Sequence, residues 1–263
     1  MEIKNKTSFL RAVISFVVII ALWEFFASGF IPPFSRVFVT FFQLIVDPEF
    51  TENLTVSLYR LFSGWLLGAL FGTLIGLAMG VNYKIKEHVM PLVSAVFPIP
   101  KIALLPLLMV LFGLGETSKI LTIAIGAFFP SIITAYSAVL RTPIEYIEQG
   151  QSLGLTGMQI TRMLIFPTNL PYLIQGCRTS TNLSLTLLVA AEMLGSQKGL
   201  GNWILVSGGN MLFDQMLAGI ICLSLLGLMI SFTIDVTHRL LCPWDEAISN
   251  RDKINVTNHF TRR

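Results

Sequence analysis

The chain has 263 residues, of which 54% are hydrophobic and only 13% charged, and it carries a formal net charge of +3. That balance excludes an ordinary soluble domain. The basic residues sit mostly in short connections between apolar stretches, so they leave no nucleic-acid footprint.

The first element carries Lys4, Lys6 and Arg11 ahead of a short apolar run ending near Trp23, and Ala27-Ser28-Gly29 is similar to a signal-peptidase site. Apolar residues continue through Phe25, Phe26 and Phe30, so a retained first span is expected. In all, hydropathy predicts an all-α polytopic membrane protein with six spans, at about 10–30, 61–81, 89–112, 118–140, 171–194 and 215–241. This defines a permease domain at 10–241 with a core at about 57–240, between tails at 1–9 and 242–263. With both termini inside, twelve basic residues fall on the cytoplasmic side (Lys4, Lys6, Arg11, Lys84, Lys86, Arg141, Arg162, Arg239, Arg251, Lys253, Arg262 and Arg263). Only Arg36, Arg60, Lys119 and Lys198 fall outside. The excess of inner Lys and Arg sets that orientation. Ile31-Pro32-Pro33 ends the first helix.

The second span holds Gly64, Gly68, Gly72, Gly76 and Gly80 at every fourth position, a groove about 24 Å long. In lipid, small residues let helices approach closely, so packing is the expected role and pathway lining the alternative. The third span is interrupted by Pro91, Pro98, Pro100 and Pro106 and is expected to break, with Pro98-Ile99-Pro100-Lys101 facing protein or a watery cavity. Lys101 is a candidate pathway residue able to attract an anion; alternatively it snorkels or pairs with a carboxylate.

Between spans four and five, Thr142-Pro143-Ile144-Glu145 predicts a helix start, with the Thr142 hydroxyl as N-cap, Pro143 at the first helical position and Glu145 at the third. The helix runs through Glu148 and Leu153 to Gly154, whose access to positive φ suits a C-cap. Thr156-Gly157-Met158-Gln159 then predicts a capping box and a second short helix ending at Pro167. The outcome is two helices around a glycine elbow, spanning 142–167. Ile144, Ile147, Met158, Met163 and Leu164 interspersed with Gln149, Gln151, Gln159 and Arg162 make a half-apolar docking surface.

In span five, Arg178, Asn182 and Thr186 share one helical stripe that either packs or conducts. Glu192 near its end either hydrogen-bonds within the bundle or acts as a gate or binding-protein contact, and Glu24 and Asp235 read as structural. Cys177, Cys222 and Cys242 lack metal or redox spacing, and His88, His238 and His259 are scattered. No catalytic constellation, metal site or bound cofactor is expected of this chain.

Glu148-Gln149-Gly150, then Gly154, then Leu164-Ile165-Phe166-Pro167 resemble the EAA loop of ABC importer permeases. The resemblance extends to Pro98-Ile99-Pro100 with Leu105-Pro106, Phe112-Gly113-Leu114-Gly115-Glu116, Gly126-Ala127-Phe128-Phe129-Pro130, Ala191-Glu192-Met193-Leu194-Gly195 and Gly199-Leu200-Gly201. The subgroup it resembles transports nitrate, sulfonate, taurine or bicarbonate. Where that family has Ala-Ala, this chain has Gln149-Gly150. The resemblance implies a coupling loop (Glu148, Leu153, Gly154, Thr156, Met158, Arg162 and Pro167) seated on a separate ATPase subunit, since the chain has no phosphate loop. It further implies a second copy of the chain, two ATPase subunits using ATP and Mg, an extracytoplasmic binding protein, and a multi-pass position in the lipid of a bacterial cytoplasmic membrane. Pro98, Pro100, Lys101, Arg178, Asn182, Thr186 and Glu192 stand as pathway or gate candidates. An oxyanion is the expected cargo, a neutral heterocycle the alternative, and an ATP-independent channel the competing class.

Overall fold

The computed structural model describes residues 2–27 and 31–245. Residues 28–30, most of the cleavage-like sequence, lie outside them, as do His259 and the basic residues Arg251, Lys253, Arg262 and Arg263. The described residues are helical, without a strand. In chain order the helices are α1 (Glu2–Phe25), α2 (Phe34–Ile45), α3 (Pro48–Val81), α4 (Tyr83–Val96), a 3₁₀ turn (Lys101–Leu104), α5 (Leu105–Phe112) and α6 (Glu116–Leu140). There follow α7 (Ile144–Ser152), α8 (Gly157–Ile160), a π segment (Thr161–Ile165), α9 (Phe166–Gly195), α10 (Leu200–Gly209) and α11 (Phe213–Leu241).

Among the described residues, α3, α6 and α11 are each long and apolar enough to cross a membrane. The pair Tyr83–Val96 and Lys101–Phe112 is bent by 88° and makes a fourth crossing if counted as one. The break falls where two prolines remove backbone donors within three residues, at Pro98 and Pro100. Helix α3 starts at Pro48, well before the expected 61, because its start is written in capping rather than in hydropathy. Asp47 accepts from the Glu49 backbone N–H at 3.0 Å, Pro48 occupies the first helical position and Glu49 the first turn. Helices α2 and α10 lie in stretches that read as connections.

The chain forms two compact units, one from the described residues of Met1–Arg60 and Leu188–Leu226, the other from those of Leu61–Leu187 and Gly227–Arg263. In the first, Val37, Leu44, Phe50, Leu200, Ala218 and Cys222 form a buried core. Phe50 and Trp203 meet edge to face at 5.3 Å, a favoured aromatic geometry. The Glu24 carboxylate accepts from the Ser35 backbone N–H at 3.1 Å and from its hydroxyl at 2.7 Å. Glu24 thereby supplies α2 with the N-terminal capping that Pro33 cannot.

In the second unit the glycine stripe of α3 packs on α6. A β-carbon added at Gly64, Gly68, Gly72, Gly76 or Gly80 would fall within 2.9 Å of Ile123, Ala127, Ser131, Ala135 or Val139 respectively. Both helices thus present every fourth residue along one seam, and the backbones approach as closely as they do because α3 has no side chains there. A Gly72→Leu variant is expected to lose about 3 kcal/mol of stability through overpacking. Gly157→Ala, where nothing lies within 4 Å, should shift it by about 0.5 kcal/mol or less. Thermal denaturation of the detergent-solubilised variants checks both.

Candidate functional site

The elbow follows from two pieces of local chemistry. Helix α7 ends in a Schellman motif: the Leu155 N–H donates to the Gly150 carbonyl at 3.0 Å and the Gly154 N–H to that of Gln151 at 2.9 Å. Gly154 sits at φ +77° with open space around a β-carbon, so backbone conformation alone demands glycine. Helix α8 then starts with the predicted capping box. The Gln159 backbone N–H donates to Thr156 Oγ1 at 3.4 Å, and Gln159 Oε1 accepts from the Thr156 N–H at 2.8 Å.

Two expectations change. Thr142 does not cap α7, which starts after Pro143; its hydroxyl accepts from Asn169 Nδ2 at 2.6 Å instead. The second helix does not stop at Pro167 but runs through the π segment into α9; the wider π winding ends just before Pro167, whose ring has no N–H to give to an α-helical ladder.

The elbow's inner side is anchored and its outer side is not. Val139, Ile160 and Ile165 are buried with Ile147, Leu155 and Leu164 against them. Gly150, the departure from Ala-Ala, is buried on this side: a β-carbon there would meet Leu164 Cδ1 at 2.9 Å and Ile160 Cγ1 at 3.1 Å. Leu153 and Met158, by contrast, flank the turn at 79% and 77% exposure. Glu148 and Arg162 are also exposed and Pro167 is half-buried. Leu153 and Glu148 border an open cleft with Glu145, Gln149 and Ser152.

Of the pathway candidates, Pro98 and Pro100 are exposed at the break. The Lys101 ammonium donates to the Phe97 carbonyl and lies 4.6 and 5.6 Å from the ring centroids of Phe97 and Phe129. It thus satisfies a backbone acceptor that the broken helix leaves open. Arg178 pairs with Asp235, while Asn182 and Thr186, on the same stripe, are exposed and the Thr186 hydroxyl donates to the Asn182 carbonyl at 3.0 Å. Lys101 and the Arg178 stripe belong to the second unit and Glu192 to the first.

Glu192 is fully buried at the centre of a hydrogen-bonded network whose partners on α3 sequence reasoning missed. Its carboxylate accepts from Arg60 Nη1 at 2.9 Å, from the Ser57 hydroxyl, which lies 2.8 and 2.9 Å from its two oxygens, and from the Gly201 N–H at 2.8 Å. Arg60 also donates to the Lys198 carbonyl at 2.6 Å. The Ser57 hydroxyl accepts from the Leu200 N–H at 2.8 Å, and Asn53 Oδ1 from that of Gly199 at 2.6 Å. Gly199, at φ +120°, passes so close to the carboxylate that a β-carbon would lie 2.6 Å from Glu192 Oε2. One buried ion pair therefore ties α3 and α9 to the turn that starts α10. Asn53, Ser57 and Arg60 were legible only as an i, i+4, i+7 stripe, and that stripe falls before the expected start of span two.

Helices able to cross a membrane, a proline-broken helix pair and an anchored elbow with bare apolar tips suit the membrane-embedded subunit of a transporter. Residues 68–244 match the family described as "Binding-protein-dependent transport system inner membrane component", and the chain belongs to it. It is 30% identical over 230 residues to the taurine transport system permease protein TauC of Escherichia coli K12, covering 86% of this chain and 84% of that one. It is 27% identical over 252 residues to the nitrate import permease protein NrtB of Synechococcus elongatus, covering 89% and 90%. Among solved structures it is similar to a chain of the MetNI methionine ABC transporter in an inward-facing conformation, with a TM-score of 0.63, 25% identity, and coverage of 76% of this chain and 96% of that one. The chain is an ABC importer permease subunit, and its family works with ATPase and substrate-binding partners.

Removing either member of a buried charge pair strands the other. Arg60→Gln and Glu192→Gln are each expected to cost about 3–5 kcal/mol. The double variant should cost less than the sum of the two by about 0.5–3 kcal/mol. Denaturation of all four proteins in detergent measures the coupling, and additive losses would refute a direct pair.

Proposed function

We propose that two copies of this chain line a path for a small oxyanion of the sulfonate or nitrate kind, each copy crossing the bacterial cytoplasmic membrane six times with both termini inside. The observation that carries the transport reading is the elbow: two large apolar side chains, Leu153 and Met158, left bare on a rigidly capped turn. Solvated apolar tips of this kind gain by insertion into a partner's groove. An ATPase subunit supplies that groove on each copy, and ATP and Mg are bound there rather than by this chain.

Glu148, Thr156, Arg162 and Pro167 frame the same contact, and Gly154 gives the turn its hand. A second copy is supported by the exposure of Asn182 and Thr186 on α9, the fifth span on this reading, where polar side chains bare to lipid are unfavourable. The two copies face each other across these residues and alternate access to the path between them. Lys101, half-exposed beside the exposed Pro98 and Pro100, attracts the anion, and Arg178 positions the stripe through Asp235. Glu192, wholly buried, acts as a fixed anchor under the outer face where a binding protein delivers cargo. The oxyanion assignment is supported by the taurine and nitrate permeases among the relatives.

Proteoliposomes containing the transporter, its binding protein and internal ATP should accumulate taurine or nitrate; uptake of neutral heterocycles alone would replace the oxyanion reading. Gly154→Val forces a β-branched residue to positive φ at about 1–2 kcal/mol, enough to lower uptake by about tenfold if that strain falls on docking. Wild-type uptake by this variant, with the ATPase still bound, would remove the elbow from the coupling path.

A further inference from the structure

Where α6 ends and α7 and α9 begin, beside the end of α11, the second unit holds an open cleft of about 420 Å³ that no transport role uses. Arg141, Tyr146, Asn169, Tyr172, His238 and Trp244 are among its lining residues. The Arg141 guanidinium lies 4.9 Å from the Tyr172 ring centroid, and among the described residues it forms no ion pair. His238 is engaged with Asp245 at 3.1 Å, which leaves Arg141, among the described lining residues, as the cation available to a ligand.

Asn169 is 1% exposed. Its Nδ2 donates to Thr142 Oγ1 at 2.6 Å and to the Ile165 carbonyl at 2.8 Å. The Ile165 carbonyl can only accept, so the amide orientation is settled, and Asn169 Oδ1 is left buried without a donor. The cleft thus offers a cation for an anion, and the buried Asn169 in its wall holds an acceptor that lacks a donor. Three aromatic side chains stand beside them at the point where apolar helices end, the composition of a membrane–water interface.

We propose that this cleft binds the headgroup of a membrane phospholipid, its phosphodiester on Arg141 and its terminal hydroxyl or ammonium donating to Asn169 Oδ1. A guanidinium matches a phosphate's paired oxygens, and a choline headgroup, lacking any N–H or O–H, cannot fill the second position. The site lies at the root of the elbow, since Pro143 and Tyr146 of its lining enter α7, so lipid here would brace the segment that bears the docking tips.

The test takes the assembled transporter, strips its lipid and returns it to nanodiscs with equal parts of phosphatidylglycerol, phosphatidylethanolamine and phosphatidylcholine of identical acyl chains. Native mass spectrometry then counts the lipids retained. Glycerol or ethanolamine lipid is expected to be retained about tenfold over choline lipid, a preference of one well-made polar contact. Arg141→Gln should lower retention by a similar factor and Trp244→Ala should weaken it, both at exposed positions that leave folding intact by thermal melt, while Lys84→Gln changes nothing. Equal retention of the three lipids, or unchanged retention in Arg141→Gln, would overturn the site. Displacement of the lipid by millimolar glycerol phosphate would assign the cleft to a soluble anion and overturn the lipid too. Retention is read without transport, so a failure here leaves the oxyanion assignment standing.

Discussion

In a hydrocarbon solvent apolar burial gives helices no reason to associate, and every polar group must find a partner inside the protein. The rest of this structure depends on that constraint. It accounts for the seam between α3 and α6, where five glycines trade side chains for backbone proximity. It also accounts for Lys101, which satisfies the Phe97 carbonyl that the break before it leaves open, and for Arg178, which meets Asp235. Where a carboxylate is buried outright, as at Glu192, hydroxyl, guanidinium and backbone N–H groups close around it together. A buried ion pair of this kind is weak evidence for net stability. Its effect here is to hold one particular turn in one particular place.

The two units divide the labour of rigidity and contact. The Glu192 network has its charges matched and its glycine turn in near contact with the carboxylate, which suits a fixed frame. The elbow is equally well capped in its backbone yet leaves its largest apolar side chains bare. A stiff backbone carrying unsatisfied apolar surface loses little conformational entropy when a partner covers it. That combination is what the proposed coupling to a separate ATPase subunit calls for.

Much of this was legible in the sequence, and the parts that were not share a cause. Spacing revealed the glycine seam, proline density the broken helix, and paired capping signatures the elbow, because each is a local rule with a short period. Asn53, Ser57 and Arg60 escaped notice because a hydropathy window sees only the apolar part of α3, while its polar first turns read as a connection. Their partners lie more than 130 residues away, and no local pattern reports such a meeting. Thr142 shows the opposite failure: a sound capping signal was overridden when Asn169, from another helix, claimed the hydroxyl.

The π segment at Thr161–Ile165 makes the spacing between elbow and α9 a matter of phase as well as length. One residue on an α-helix corresponds to about 100° of rotation, and a π turn accommodates an extra residue without breaking the rod. A deletion in this stretch that restored α-helical winding would swing Met158 and the elbow around the α9 axis by roughly that angle, leaving the sequence of the apolar tips intact but aiming them at a different face.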